Sequence, residues 1–197
     1  MRKTLLPFLF ISIIILSCGE HDPIRSPGEH EYFPLKVGNY WQYQCSDPAL
    51  GGTFENEITG TTTINNQEYY VMITKSPKSV TDTTYYRMDD RGYVFEFRKS
   101  YTQEMNKYRL NARKNDSWEY TFGTTLPNGK MTFNGSQNVT LTTTTIDNCK
   151  AFSFDVKQWV DEESHHILAA GIGLVVTSGD IQFELKHAVV NEQEFNF

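Results

Sequence analysis

Residues of this chain alternate in character with a period of two over several short stretches, and that alternation constrains its fold more than any other feature. Trp41, Tyr43 and Cys45 fall on one side of an extended segment, and Tyr40, Gln42 and Gln44 on the other. Successive side chains of a strand point to opposite sides, so this is the pattern of a sheet with unequal faces. In what reads as the last strand, Ile181, Phe183, Leu185, His187 and Val189 alternate with Gln182, Glu184, Lys186 and Ala188. Turn signals lie between. Ile64-Asn65-Asn66-Gln67 separates residues 53–63 from 68–74, and Asp89-Asp90-Arg91-Gly92 separates 83–88 from 93–98. Asn128-Gly129 and Asn134-Gly135 mark further turns. Composition agrees, with 21 Thr, 13 Phe and 11 Tyr, residue types that suit a pleated, half-buried surface. No stretch beyond the N-terminus carries a 3.6-residue apolar period. The expectation is an all-β fold, one domain of antiparallel strands with short connections.

The N-terminus follows another logic. Arg2-Lys3 precedes an apolar run over residues 5–16, broken only by Pro7 and Ser12. A bilayer span needs about 20 residues, so this run is too short to be one. It ends in Ile15-Leu16-Ser17-Cys18-Gly19, which resembles the lipobox of bacterial lipoproteins, with Ile15 where Leu is commoner. The resemblance implies a signal peptide over residues 1–17, cleavage after Ser17, a thioether-linked diacylglycerol on Cys18 and an acyl chain, such as palmitate, on the new amino group. The partner it implies is a membrane, reached through the lipid anchor on Cys18; several acyl chains, at about 0.8 kcal/mol per buried CH₂, hold where one would not. By analogy with lipoprotein sorting, Gly19 in place of Asp points to the outer membrane of a double-membraned cell envelope. The alternatives are a plain secretory signal with an incidental Cys and an uncleaved anchor.

Residues 18–32 are polar and punctuated by Pro23, Pro27, Gly19 and Gly28. They read as a flexible tether of about 40 Å maximum reach, ahead of a β domain at 33–197. Loss of Arg2 and Lys3 takes the net charge from −6 to −8. Nucleic acid is excluded as a partner, because its binding is driven by basic charge.

Two longer patterns stand out. Gly38-Asn39-Tyr40-Trp41-Gln42-Tyr43 is echoed by Asn115-Asp116-Ser117-Trp118-Glu119-Tyr120, a turn followed by Trp-x-Tyr. Either a half-sheet is duplicated or the motif is the common one of any aromatic-rich sheet. The stretch Phe33-Pro34-Leu35-Lys36-Val37-Gly38-Asn39-Tyr40-Trp41, with Gly171-Ile172-Gly173-Leu174-Val175 in a penultimate strand, resembles signatures of a family of uncharacterised β-rich bacterial lipoproteins. The resemblance implies a strongly curved sheet or open half-barrel of the kind used by lipoprotein carriers, and no known activity. Gly171 and Gly173, two apart on one face, suit a sharp coil or a close approach.

The chemical candidates are thin. Gly171-Ile172-Gly173 lacks the third glycine of a dinucleotide loop, Val176 standing there. Asp161-Glu162-Glu163-Ser164-His165-His166 gathers carboxylates and imidazoles but reads as a solvated hairpin tip, since adjacent His on a strand diverge. His21 and His30 sit in the tether, and His187 reads as a hydrogen-bonded core or rim residue. Asp89-Asp90 falls in a solvated turn. No G-x-S-x-G or Ser-x-x-Lys motif is present. No metal and no cofactor is expected, and no catalytic residue. Cys45 and Cys149 form an even pair in an exported protein, giving either a disulfide or two buried thiols. The reading is a lipid-anchored envelope protein of non-catalytic binding or structural role. Its rivals are a carrier of an acyl chain or other apolar ligand in a half-barrel and, more weakly, a hydrolase with an unrecognised site. A carrier needs a concave face that its own side chains leave unfilled.

Overall fold

A computed structural model of the chain describes residues 28–47, 49–50, 52–77, 81–100, 103–120, 128–142, 144–156 and 163–197. The expected signal peptide, Cys18, His21 and most of the tether lie outside the described residues, as do Asp161 and Glu162. A 3-10 turn at Glu29–Tyr32 precedes thirteen strands: β1 Tyr40–Cys45, β2 Thr53–Ile64, β3 Gln67–Lys75, β4 Thr81–Met88, β5 Tyr93–Phe97, β6 Met105–Arg109, β7 Ser117–Tyr120, β8 Gly129–Leu141, β9 Thr144–Asp155, β10 Ser164–Ala169, β11 Gly173–Ser178, β12 Phe183–Val190 and β13 Gln193–Asn196. They form one antiparallel sheet in the order β6-β5-β4-β3-β2-β1-β12-β11-β10-β9-β8-β7, with β13 beside β12. The fold is therefore all-β, as expected. It is two six-stranded meanders joined where β12 pairs with β1, and it curls until β6 and β7 stand side by side. The indole of Trp118 on β7 donates to the Asn106 carbonyl of β6 at 2.9 Å, bridging a seam that no backbone ladder closes.

The two meanders open in the same way. Gly38 and Asn115, each three residues before its Trp, adopt φ of +91° and +73°, the left-handed conformation Gly and Asn tolerate best. Gly38 N donates to Ile58 O at 2.8 Å and Ile58 N to Asn39 O at 2.9 Å; Asn115 N donates to Phe133 O at 2.7 Å and Phe133 N to Asp116 O at 2.9 Å. Both second strands then bulge, between Ile58 and Gly60 and between Phe133 and Gly135. The echoed sequence is thus a repeated structure. Bulges increase twist and bend the bulged strand, which lets a sheet this wide curl upon itself.

Several local expectations change. Asn65 and Asn66 do form the β2–β3 turn, both with positive φ, but Asn134-Gly135 is no turn; it is the β8 bulge, a position that asks for the same permissive backbone. Gly171-Ile172-Gly173 makes the β10–β11 turn rather than lying along one strand face, and it presses on Pro34, whose Cδ would be 3.3 Å from a Cβ at Gly173. The alternation read at 181–189 breaks inside β12: Gln42 pairs with His187 and Tyr43 with Leu185, so Lys186 is extra. Ala188 and Val190 turn inward and His187 outward, where it bonds Asn196 at 2.9 Å. Nor is β12 last, since β13 follows. Tyr32, assigned to the tether, is buried. The disulfide between Cys45 and Cys149 is not formed: both are free, buried thiols, on strands with β12, β11 and β10 between them. The sheet's true ends, β6 and β7, carry no cysteine.

The core has two parts. Around β1 and β12, Trp41, Tyr43, Ile58, Leu185 and Ala188 pack with Ile172 and Val175. Around β7–β10, Trp118, Met131, Phe133, Phe152 and Leu168 pack with Tyr108, Tyr32 and Phe33. Phe152 sits centrally, its ring 5.0 Å from those of Tyr108 and Phe133 and 6.2 Å from Trp118. The segment 28–35 is part of this interior. Gly171 N donates to Glu31 O, and Tyr32 donates through its hydroxyl to Asn148 O. Lys150 pairs with Glu29 at 3.2 Å beneath the Tyr32 ring.

Candidate functional site

The two meanders place different side chains inside, and the shared register shows where. Trp41 faces Asn56, which faces Thr74; in the second meander Trp118 faces Met131, which faces Phe154. Tyr43 faces Phe54, whereas Tyr120 faces Gly129. Gly129 is fixed by close approach, since a Cβ there would lie 2.2 Å from the Phe154 ring. Where the second meander packs Met131 and Phe154, the first therefore places a small polar pair, with Thr74 Oγ1 donating to Asn56 Oδ1 at 2.8 Å.

Space is left beside that pair. An inner cavity of about 60 Å³ reaches Phe33, Pro34 and Trp41. A wider one of about 320 Å³ is lined, among the described residues, by Phe54, Thr84, Arg98, Thr177 and Phe183 as well as the polar pair. Tyr43, Met72, Tyr86, Lys107 and Leu174 border both. Phe54 and Phe183 meet edge to face at 4.9 Å across β1 and β12.

An ion cluster stands at this wall. Glu96 on β5 is buried, with its side chain 2% exposed. Arg98 Nε donates to its Oε1 at 2.9 Å, while Tyr86 Oη at 2.8 Å and Lys107 Nζ donate to Oε2. Arg98 also reaches Asp82 through Nη1 at 2.7 Å. Burial opposes ionisation of Glu96, but Lys107 and Arg98 outweigh it and hold the carboxyl at about 2. Burial, with Glu96 nearby, pushes the Tyr86 hydroxyl far up, so it stays a neutral donor.

Of the residues singled out in the sequence, His166 moves most. It is no part of a solvated tip: Tyr108 Oη lies 2.8 Å from its Nδ1 and Ser164 Oγ 3.3 Å from its Nε2. Burial, then the nearby Lys107, lowers its pKa to about 3, which keeps the ring neutral. His165 turns outward to Glu163 at 3.9 Å, so the adjacent histidines diverge. Asp89 accepts from Arg91 N and Tyr93 N in its turn and pairs with Arg91. Cys45 and Cys149 stay apart, and burial followed by Asp147 raises the Cys149 thiol to about 11. No three of His, Cys, Asp and Glu among the described residues converge as metal ligands. The Glu96–Arg98–Lys107 cluster went unnoticed in the sequence. The available signal was Tyr93-Val94-Phe95-Glu96-Phe97: Glu96 shares its face with the fully buried Val94.

No family model and no curated protein matches the chain. Two solved structures are similar in outline. One is a candidate lipoprotein from Parabacteroides distasonis ATCC 8503, at 14% identity over 83% of this chain and 98% of that one, with a TM-score of 0.43. The other is a candidate exported protein with a YmcC-like fold from Bacteroides fragilis NCTC 9343, at 10% identity over 83% and 98%, with a TM-score of 0.46.

Proposed function

We propose that this chain is a lipid-anchored protein of the bacterial cell envelope, held to the outer membrane through Cys18, whose β domain has a non-catalytic binding role. The observation that carries the binding role is the unfilled interior of the first meander, where Asn56 and Thr74 occupy the positions that Met131 and Phe154 fill in the second. Small-molecule sites are concave and mostly apolar with a few convergent polar groups, and this cavity has that make-up. The anchor rests on the lipobox. A non-catalytic role is supported by His166, the best-placed base, which borders neither cavity and is committed to Tyr108 and Ser164. Carriage of a long acyl chain gains less support: Lys107, Arg98, Asn56 and three threonines line the wider cavity, and a purely apolar chain would leave those polar groups without partners.

Two measurements test the reading. Cys18→Ala should give an unprocessed protein that takes up no labelled fatty acid and leaves the detergent phase; label on that variant would sink the anchor. Organic extraction and mass spectrometry of the purified lipoprotein should yield no stoichiometric long-chain lipid beyond the anchor itself. A second, stoichiometric acyl species would replace the present reading with the carrier.

A further inference from the structure

We propose that the cavity of the first meander is a binding site for a compact amphipathic carboxylate, with its apolar body among Phe54, Met72, Leu174 and Phe183 and its carboxylate on Lys107 and Arg98. The inference rests on the binding role above and names its ligand class. It starts from what the wall has left to offer. Both Glu96 oxygens already accept, from Arg98 on one side and from Tyr86 and Lys107 on the other. Tyr43 donates to Leu174 O at 2.9 Å. Asn56 Oδ1 accepts from Thr74, and its side chain also hydrogen-bonds the Tyr43 hydroxyl. Lys107 has three N–H donors and uses two, on Glu96 and Tyr86. Arg98 uses Nε and Nη1, and its Nη2 has no partner among the described residues.

The unmet hydrogen-bonding capacity lies with the remaining donors of Lys107 and Arg98, whose charges already face Glu96 inside and the half-exposed Asp82 outside, and an acceptor-rich anion complements those donors. Beside Asn56 and three threonines, the rest of the lining is apolar and aromatic, with Phe54, Met72, Leu174 and Phe183, which asks for an apolar body attached to that anion. A volume of about 320 Å³ sits at the small end of ligand pockets and sets the ligand's size as compact. The second meander supplies the contrast: Met131 and Phe154 stand there in the places of Asn56 and Thr74, so the small polar pair leaves room beside β2 and β3 that those larger side chains would occupy.

The test uses the mature lipoprotein in phospholipid nanodiscs and two fluorinated probes, 4-fluorophenylacetate and its uncharged isostere 4-fluorophenylacetamide, followed by ¹⁹F NMR. The carboxylate should bind saturably and about tenfold more tightly than the amide, a difference of ~1.4 kcal/mol. Thr74→Phe, and separately Asn56→Met, each importing the residue of the other meander, should abolish binding of both probes. Lys107→Met should erase the preference for the carboxylate. Equal affinity for the two probes, binding unchanged by both cavity-filling variants, or no saturable binding would overturn the site. Retention in the discs reads out the anchor separately: retained protein that binds neither probe refutes the site and leaves the anchor standing, whereas protein lost from the discs refutes the anchor.

Discussion

The two meanders share a turn, a Trp-x-Tyr strand, a bulge and a register, yet they differ inside. One closes over aromatic rings and the other over a polar pair and an ion cluster. Backbone features are common to both, so the difference lies in a few side chains: Phe54, Asn56 and Thr74 against Gly129, Met131 and Phe154. A barrel of this width has more interior than backbone geometry alone can close, and side-chain volume decides which half is solid. The halves differ at their last strands as well. β12 pairs with β1 by a backbone ladder, whereas β6 meets β7 at the Trp118 indole, which bonds the Asn106 carbonyl and lies beneath the Arg109 guanidinium.

The largest effect should come from emptying the solid half. Phe152→Ala removes a fully buried ring and is expected to lower the unfolding free energy by about 3–5 kcal/mol, against a smaller loss for Met72→Ala at the matching position beside the cavity. Equal losses in urea titrations would erase the contrast. Next in size is Lys107→Met, which leaves the buried Glu96 with one cation, Arg98, and the neutral Tyr86 hydroxyl, and should cost roughly 3 kcal/mol. The double variant Lys107→Met/Glu96→Gln should recover much of that loss, and failure to do so would show that Lys107 acts through packing.

The pH profile sharpens the same comparison. The pKa of His166 falls from 6.5 to about 3 and that of Glu96 from 4.5 to about 2, so in both cases the unfolded chain binds more protons than the folded one. Stability is full above about pH 6.5, declines as His166 is protonated in the unfolded state, and declines further below about 4.5 as Glu96 follows. His166→Gln should flatten the upper step and leave the lower one, as read by thermal melts across that range. Smaller again is Trp118→Phe, which removes the seam's bond to Asn106 O and should cost about 1 kcal/mol while speeding amide exchange in β6 more than in β12. Smallest is the thiol count: Ellman titration of the unfolded, non-reduced protein should find Cys45 and Cys149 both free, and a count of zero in a monomer would restore the bridge.

Much of the fold was legible because it rests on local chemistry. Asn65-Asn66 and Asp89–Gly92 fix their hairpins through positive φ and side-chain caps, and Trp41-x-Tyr43 fixes the inward face of β1. Legibility failed where a single residue changes the phase. The bulge at Lys186 moves His187 from one face to the other, and Asn134-Gly135 carries turn chemistry into a strand. The candidate site was less legible still. Glu96, Arg98 and Lys107 lie on and beside adjacent strands, and no sequence spacing shows that Glu96 faces inward with two cations to meet it. Asn56 and Thr74 look like ordinary polar strand residues until the register sets them against Met131 and Phe154.

The segment at 28–35 decides how the domain would bear a mechanical load. A pull on the chain from its N-terminal side would not peel a strand from an exposed edge. It would reach first the grip of Gly171 on Glu31, of Asn148 on Tyr32 and of Lys150 on Glu29, which spreads the force over β9 and the β10–β11 turn. Beyond that point the force meets β1, flanked on both sides by β2 and β12 and loaded along its length in shear. A domain held through this segment can be tugged from its N-terminal side without being unzipped.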